Sequence, residues 1–385
     1  MNEHRHSPDI EKWITLIRAQ GVGPTTFARL LKQFGSIDRA LTASVAELAK
    51  VKGIGLRTAE RIRASVGRFD VDKELALADK LNVQLMHAAD KRYPPPLRAI
   101  YDPPPVLYVK GTLERGDSLA VAIVGSRRCS TYGAEQASRF AHVLASAGFT
   151  IVSGMARGID TAAHRGALTA GGRTIAVQGC GLSQIFPPEN GELFHKITQR
   201  GACVSELPLQ YEALSENFPA RNRIIAGLCM AVIVVEATER SGALISAQAA
   251  VDNNREVMAI PGKIDSPLSV GTHRLIKQGA RLVDCVEDVM ETLGRIGDGL
   301  KGHVVAAAAE AEAQMDLPLF DAARLNLADG ERTVYESLDG EPRHVEEIIG
   351  ATGLAAGAVN SALVSLRLKG LIKQLPGSMF IRRRG

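Results

Sequence analysis

The sequence predicts an α/β protein with a doubly wound, mainly parallel sheet, an all-α domain before it and a small domain of three helices and a hairpin after it. Three observations carry that prediction. Six short apolar runs between 119 and 262 alternate with amphipathic segments. Two copies of a glycine turn followed by a helix lie in the first 70 residues. Three helical periodicities and then an alternating hairpin pattern follow residue 330.

A chain of 385 residues has room for two or three such domains. Hydrophobic residues make up 45% but aromatics only 4%, so the cores must be aliphatic and alanine-rich. A net charge of +4 is mildly basic and compatible with a nucleic-acid partner. The five cysteines are odd in number and show no C-x-x-C spacing, which argues against a disulfide framework or a zinc ribbon. The first ten residues are charged and lack an apolar leader, and no run approaches the ~20 apolar residues of a membrane span. A cytoplasmic protein with no membrane association is therefore expected.

The first element is the helical segment 1–70. Within it, QGVGPTTFARLLKQFGS (20–36) and VKGIGLRTAERIRAS (51–65) each place a Gly-x-Gly turn before an amphipathic helix. One such turn is a common compact connection; two in one helical segment resemble a SAM-like helix–hairpin–helix domain. Helix starts of this kind offer free N–H groups to phosphate. The segment holds twelve Lys/Arg against seven Asp/Glu. A proline-rich bridge, 93–111, ends in a short strand-like run.

From 119 the runs LAVAIVGS, FTIVSGMA, RTIAVQGCG, ACVSEL, AVIVVEAT and EVMAIPG read as strands separated by helices, the pattern of a parallel sheet covered on both faces. In such sheets ligands bind beyond the carboxyl ends of the strands. The first run ends in VGSRRCSTYG. A dinucleotide site needs G-x-G-x-x-G there and an acid about 20 residues on. Gly125, Ser126, Arg127 and Arg128 break that pattern, and no P-loop motif occurs anywhere, so no cofactor is expected. Backbone N–H, hydroxyl and guanidinium groups together are what hold a phosphate.

The second run ends in SGMARGIDTAAHRGAL, with Asp160 in the first turn of a helix and His164 one turn on. With no third ligand or nucleophile nearby, Asp160 and His164 read as a structural pair, and no metal is expected. The third run ends in GCGLSQIFPPEN, with Asn190 placed to cap a helix. After the fifth run, Ser241 and Gly242 open a helix of small residues, and no carboxylate lies between 241 and 251.

After the fourth run comes NFPARNRIIAGLC. Asn217 can cap this helix, Pro219 sits where a missing N–H costs nothing, and Ile224, Ile225 and Leu228 form its apolar face. Yet its start also carries Arg221 and Arg223, although a helix N-terminus is the positive end of the dipole. Across 119–181 there are six arginines and two acids, whereas 119–290 is nearly balanced, at sixteen basic to fifteen acidic. Positive charge therefore gathers at one end of the sheet, and the missing component of the site is a polyanion.

The motifs AIVGSRRCSTYG, IVSGMARGIDTAAHRGAL, IAVQGCGLSQIFPPEN, SENFPARNRIIAGL and VVEATERSGALISAQAA, in this order and spacing, closely resemble the DprA/Smf family of DNA-processing proteins. The likeness is strongest over 95–285. It implies an extended Rossmann-like sheet, single-stranded DNA binding without sequence specificity, homodimerisation, and interaction with the recombinase RecA. It further implies a role in loading RecA during natural transformation and recombination, with no enzymatic activity. The DNA pocket it implies comprises Gly125, Ser126, Arg127, Phe218, Arg221, Asn222, Arg223, Ser241 and Gly242, with Arg128 next in the same loop. In the third motif an Asp often follows Gly–Leu, and this chain has Ser183; a Tyr often precedes the Pro, and this chain has Phe186, which can still stack on a base. The last 60 residues resemble a winged-helix domain. Expected boundaries are 1–70, 71–294, a linker at 295–325, and 326–385.

Two rivals remain at this point. A Rossmann-like nucleotide phosphoribohydrolase would have the same layout, but its P-G-G-x-G-T-x-x-E loop is SGALISA here and lacks the acid. A winged-helix transcription regulator would read duplex DNA, but 354–366 offers only Asn360 as a strong base reader.

Overall fold

Each of the six apolar runs is a strand, because short β-branched runs buried on both faces suit the centre of a parallel sheet. The computed structural model describes residues 6–294, 329–338, 343–368, 371–375 and 379–382. The expected linker, 295–325, lies outside the described residues. The rest fall into two compact units, divided between 294 and 329.

In the first unit the sheet strands are β1 Val83–His87, β2 Val106–Gly111, β3 Ala120–Val124, β4 Thr150–Ser153, β5 Thr174–Val177, β6 Ala202–Ser205, β7 Ala231–Val234, β8 Glu256–Ala259 and β9 Arg281–Leu282. Their spatial order is β1-β2-β6-β5-β4-β3-β7-β8-β9. All neighbours from β6 to β9 are parallel; β1–β2 and β2–β6 are antiparallel. The chain leaves β3 towards β4 on one side and returns to β7 on the other. That reversal opens a crevice at the carboxyl end of β3. Two strands lay outside the sequence expectation: β1, which pairs with the anticipated strand-like end of the proline-rich bridge, and the two-residue β9.

The N-terminal segment is helical as expected. The two Gly-x-Gly turns precede the helices Pro24–Phe34 and Leu56–Ser65. Gly21 and Gly53 have φ near +90°, which a side chain would strain, and the apolar residue between each glycine pair, Val22 or Ile54, is buried. The helices share one core with the sheet: Ile14, Leu16, Phe27, Leu30 and Ile62 pack in the same cluster as Val83, Leu85, Tyr108, Cys203 and Phe194. Trp13 stacks on His87 of β1, with ring centroids 4.5 Å apart. No helix among the described residues is long and apolar enough to cross a membrane.

In the second unit, the helices Asp329–Glu336, Val345–Thr352 and Ala356–Leu368 enclose a core that includes Val334, Tyr335, Ile348, Val359, Leu363 and Leu366. The strands β11 Ile372–Leu375 and β12 Met379–Arg382 form the expected hairpin, and β10 Arg343–His344 pairs with β12. This is a winged-helix arrangement.

Candidate nucleic-acid interface

A cleft of about 620 Å³ opens at the β3 switch point. It is lined by Gly125, Ser126, Arg127 and Arg128 after β3, by Asp160, by Phe218, Arg221 and Asn222 from the helix Asn217–Leu228, and by Ser241 and Gly242 after β7. Four separate motifs thus converge as the strand-end rule requires. Ser126 is buried; its N–H donates to the Glu236 carbonyl at 2.8 Å and its hydroxyl accepts from the Arg128 N–H at 3.1 Å. The side-chain amide of Asn222 donates to the Gly242 carbonyl at 3.2 Å, tying the helix to the Ser241–Gly242 turn.

The cleft has two tiers of positive charge. The outer tier is Arg127 and Arg128, both exposed, neither guanidinium meeting a carboxylate among the described residues. The Arg127 guanidinium lies over the Phe218 ring, 4.9 Å from its centroid, a cation–π geometry. The inner tier is Arg221. It is only 4% exposed, and its Nη1 donates to the Val177 carbonyl. Burial pulls its pKa down to about 10, even with the opposite charge of Asp160 nearby. Gly154 makes room for it, since a Cβ there would fall 1.9 Å from Nη1.

Several sequence expectations change here. The helix begins at Asn217 itself, capped by Glu216 without a side-chain bond, so Arg221 and Arg223 lie in its second turn rather than at its start. Arg223 does not face the cleft. Its Nη1 donates to the Asp102 carbonyl at 2.7 Å, and it forms ion pairs with the Asp102 and Glu206 carboxylates. Two residues along a helix are about 200° apart, so Arg221 and Arg223 cannot serve one face. Phe186 is absent from the cleft lining; it packs against Phe218, with ring centroids 5.4 Å apart and the rings tilted by 47°.

Asp160 and His164 are both buried but are not bonded to one another. The Asp160 carboxylate accepts from the Gly154 and Ala156 N–H groups at 3.1 and 3.3 Å, and burial raises its pKa. His164 Nδ1 lies 2.7 Å from the Thr174 hydroxyl oxygen. That hydroxyl gives its own proton to the Ile151 carbonyl, so Nδ1 must carry the imidazole proton. His164 Nε2 is buried without a partner, and burial, then the Arg221 charge, lowers its pKa to about 3. Asn190 sits at the cap position, but its amide instead donates to the Met155 carbonyl and the Thr161 hydroxyl. Sequence reasoning passed over Thr238 and Ile245, which also line the cleft, and Glu236, which braces it. Glu236 was visible as an acid just after a strand, at an end of the sheet where arginine gathers.

Among the described residues one group, Asp284, Cys285 and Asp288, brings possible metal ligands together. Its geometry is that of a helix cap: the Asp288 carboxylate accepts from the Asp284 and Cys285 N–H groups.

Comparison with known proteins decides the family. The family model for DNA recombination-mediator protein A matches residues 84–294, more than half of the chain. The chain belongs to the DprA/Smf family. The DprA winged-helix model matches 318–378, and a SAM-like helix-hairpin-helix tandem matches 14–67. The chain is 34% identical over 395 residues to protein Smf of Synechocystis sp., covering 96% of this chain and 98% of that one. The X-ray structure of DprA from Streptococcus pneumoniae superposes with a TM-score of 0.65 at 37% identity, covering 73% of this chain and 97% of that one. DprA from Helicobacter pylori, whose structure concerns a single-stranded DNA binding mode, matches with a TM-score of 0.50 at 30% identity, over 55% of this chain and 96% of that one.

Proposed function

We propose that this DprA/Smf protein binds single-stranded DNA without sequence specificity in the β3 cleft. In this reading it acts as a homodimer and helps load RecA onto incoming strands in DNA uptake, natural transformation and recombination. The observation that carries the reading is the Arg127–Phe218 pair at the cleft mouth: an exposed guanidinium without a carboxylate partner, held over an aromatic ring. One group serves a phosphate and the other a base, and neither needs to know which base. The Ser126 and Ser241 turns supply small polar surfaces along which a backbone can approach. The single-stranded DNA binding mode described for the Helicobacter pylori relative supports the reading.

Arg221 has a supporting role in this scheme. Its guanidinium lies 5.9 Å from the Phe218 ring centroid, and the charge of Asp160 opposes its own. Glycosidic cleavage would need a carboxylate free to reach a substrate. Asp160 is buried and committed to two N–H groups, so the nucleotide-hydrolase rival is disfavoured. The protein is therefore read as a binding protein and not as an enzyme.

Fluorescence anisotropy of labelled oligo(dT) against salt tests the cleft. Each phosphate contact on a single strand contributes a slope of about −0.7 to log K against log salt. Arg127→Ala should weaken binding and flatten the slope by about that amount without lowering Tm. Unchanged affinity in both Arg127→Ala and Arg128→Ala would remove the cleft from consideration. RecA filament growth on the same oligonucleotide, with and without the protein, tests the loading role.

A further inference from the structure

The helix Thr131–Ser146 starts just beyond the cleft, after a loop whose first residues, Gly125 to Arg128, line it. In an open parallel sheet that helix start is where a nucleotide phosphate would sit, because unpaired N–H groups and the positive dipole end meet there. In this protein the place is taken by one of its own side chains. Glu236, two residues beyond β7, is 5% exposed. Its carboxylate accepts from the Ser130 N–H at 2.9 Å and from the Ser130 hydroxyl. The Ser130 oxygen in turn accepts from the Gly133 N–H at 3.0 Å. Gly133 lies in the first turn, and a Cβ there would sit 2.4 Å from a carboxylate oxygen of Glu236. The carboxylate is thus pressed flat against the helix start, in a recess that only glycine leaves open.

Glu236 also fixes the other end of the loop, since its backbone carbonyl accepts from the Ser126 N–H. Its charge reaches its neighbours: the Cys129 thiol and the Tyr132 hydroxyl are pushed up, first by burial and then by this carboxylate.

We propose that Glu236 is a resident phosphate surrogate, a specificity-determining residue that fills the phosphate recess at the helix start beside the cleft and so excludes free phosphate and mononucleotides. Anions can then engage only the outer tier, Arg127 and Arg128, which favours a polymer that makes several contacts over a monomer that makes one. The inference rests on reading the cleft as a single-strand site. A helix cap alone would serve stability; a surrogate also leaves behind, when removed, a recess that a real anion can occupy.

The test uses the full chain and two probes, inorganic phosphate and AMP, with ionic strength held constant by chloride. Binding is read by calorimetry and by the rise in Tm. Wild-type protein should respond to neither probe. Glu236→Ala, and Glu236→Ser as a second route should Ala fail to fold, should bind phosphate at least tenfold more tightly than wild type. Glu236→Gln fills the same space without charge and should gain nothing. A folded Ala or Ser variant with no gain over wild type overturns the proposal, as does AMP binding to wild type. Oligo(dT) binding by wild type is measured separately, so failure of the single-strand reading is told apart from failure of the surrogate.

Discussion

Arg221→Met is the sharpest test of the two-tier cleft. The substitution keeps most of the side-chain volume and deletes the buried cation. It leaves Asp160, itself buried, with two N–H donors and a helix start but no opposite charge. Arg221 and Asp160 act on one another through their charges without a direct ion pair, so the loss lies at the low end of the about 3–5 kcal/mol that breaking a buried pair costs, near ~3 kcal/mol. For a large single unit each kcal/mol lowers Tm by about 2–4 °C, so a fall of about 6–12 °C is expected. The double variant Arg221→Met, Asp160→Asn should recover most of that loss. Burial already disfavours the Arg221 cation, with its pKa down to about 10, so removing both charges together is close to neutral.

The pH dependence has a definite sign. An acid whose pKa is raised by folding costs nothing below its unfolded pKa, costs progressively more as pH rises from there towards its folded pKa, and levels off above it. Asp160 is already raised by burial, and Arg221 is the charge that opposes the rise. The deficit of Arg221→Met should therefore be larger at pH 8 than at pH 5. Differential scanning calorimetry at both pH values measures it. A single variant within about 1 kcal/mol of wild type, or a double variant no more stable than the single, would refute the paired-charge account.

Three further predictions follow from the same geometry. Phe218→Ala should weaken oligo(dT) binding by about 1–3 kcal/mol while leaving the salt slope intact, because it removes a stacking surface and no phosphate contact; a changed slope in anisotropy titrations would contradict this. Arg223→Gln should lower Tm through its lost pairs with Asp102 and Glu206, with the salt slope again unchanged, since Arg223 points away from the cleft. His164, neutral and buried, has a folded pKa of about 3 against an ordinary 6.5, so its contribution is complete above pH 6.5 and declines as pH falls. Between pH 6.5 and 5 that loss is about 2 kcal/mol, and His164→Gln should flatten this part of the stability profile in urea titrations.

Much of this fold could be read from the sequence, because a strand buried on both faces leaves an apolar run that few other elements produce. The six central strands are of that kind. β1 escaped notice because Gln84 interrupts a five-residue strand at the sheet margin, and its burial is supplied by helices distant in sequence. The convergence of Ser126, Arg127, Arg128, Asn222 and Ser241 followed from strand-end position. What each arginine does there did not. Residue type alone cannot separate Arg127, which meets solvent, from Arg221, which is enclosed because Gly154 clears the space, or from Arg223, which answers two carboxylates on another face. Helical phase separates the last two, and the sequence does contain that phase.

The core shared by the N-terminal helices and the sheet bears on how this protein could be recombined with its relatives. A cut near residue 70 looks natural in the sequence, but it would strip Val83, Leu85 and Tyr108 of their cover and leave Ile14, Phe27 and Leu30 without a floor. Chimeras exchanging the helical module should carry β1 and β2 with it. The same fusion makes the module a rigid outrigger: whatever the helix–hairpin–helix turns hold stays at a fixed distance from whatever the cleft holds.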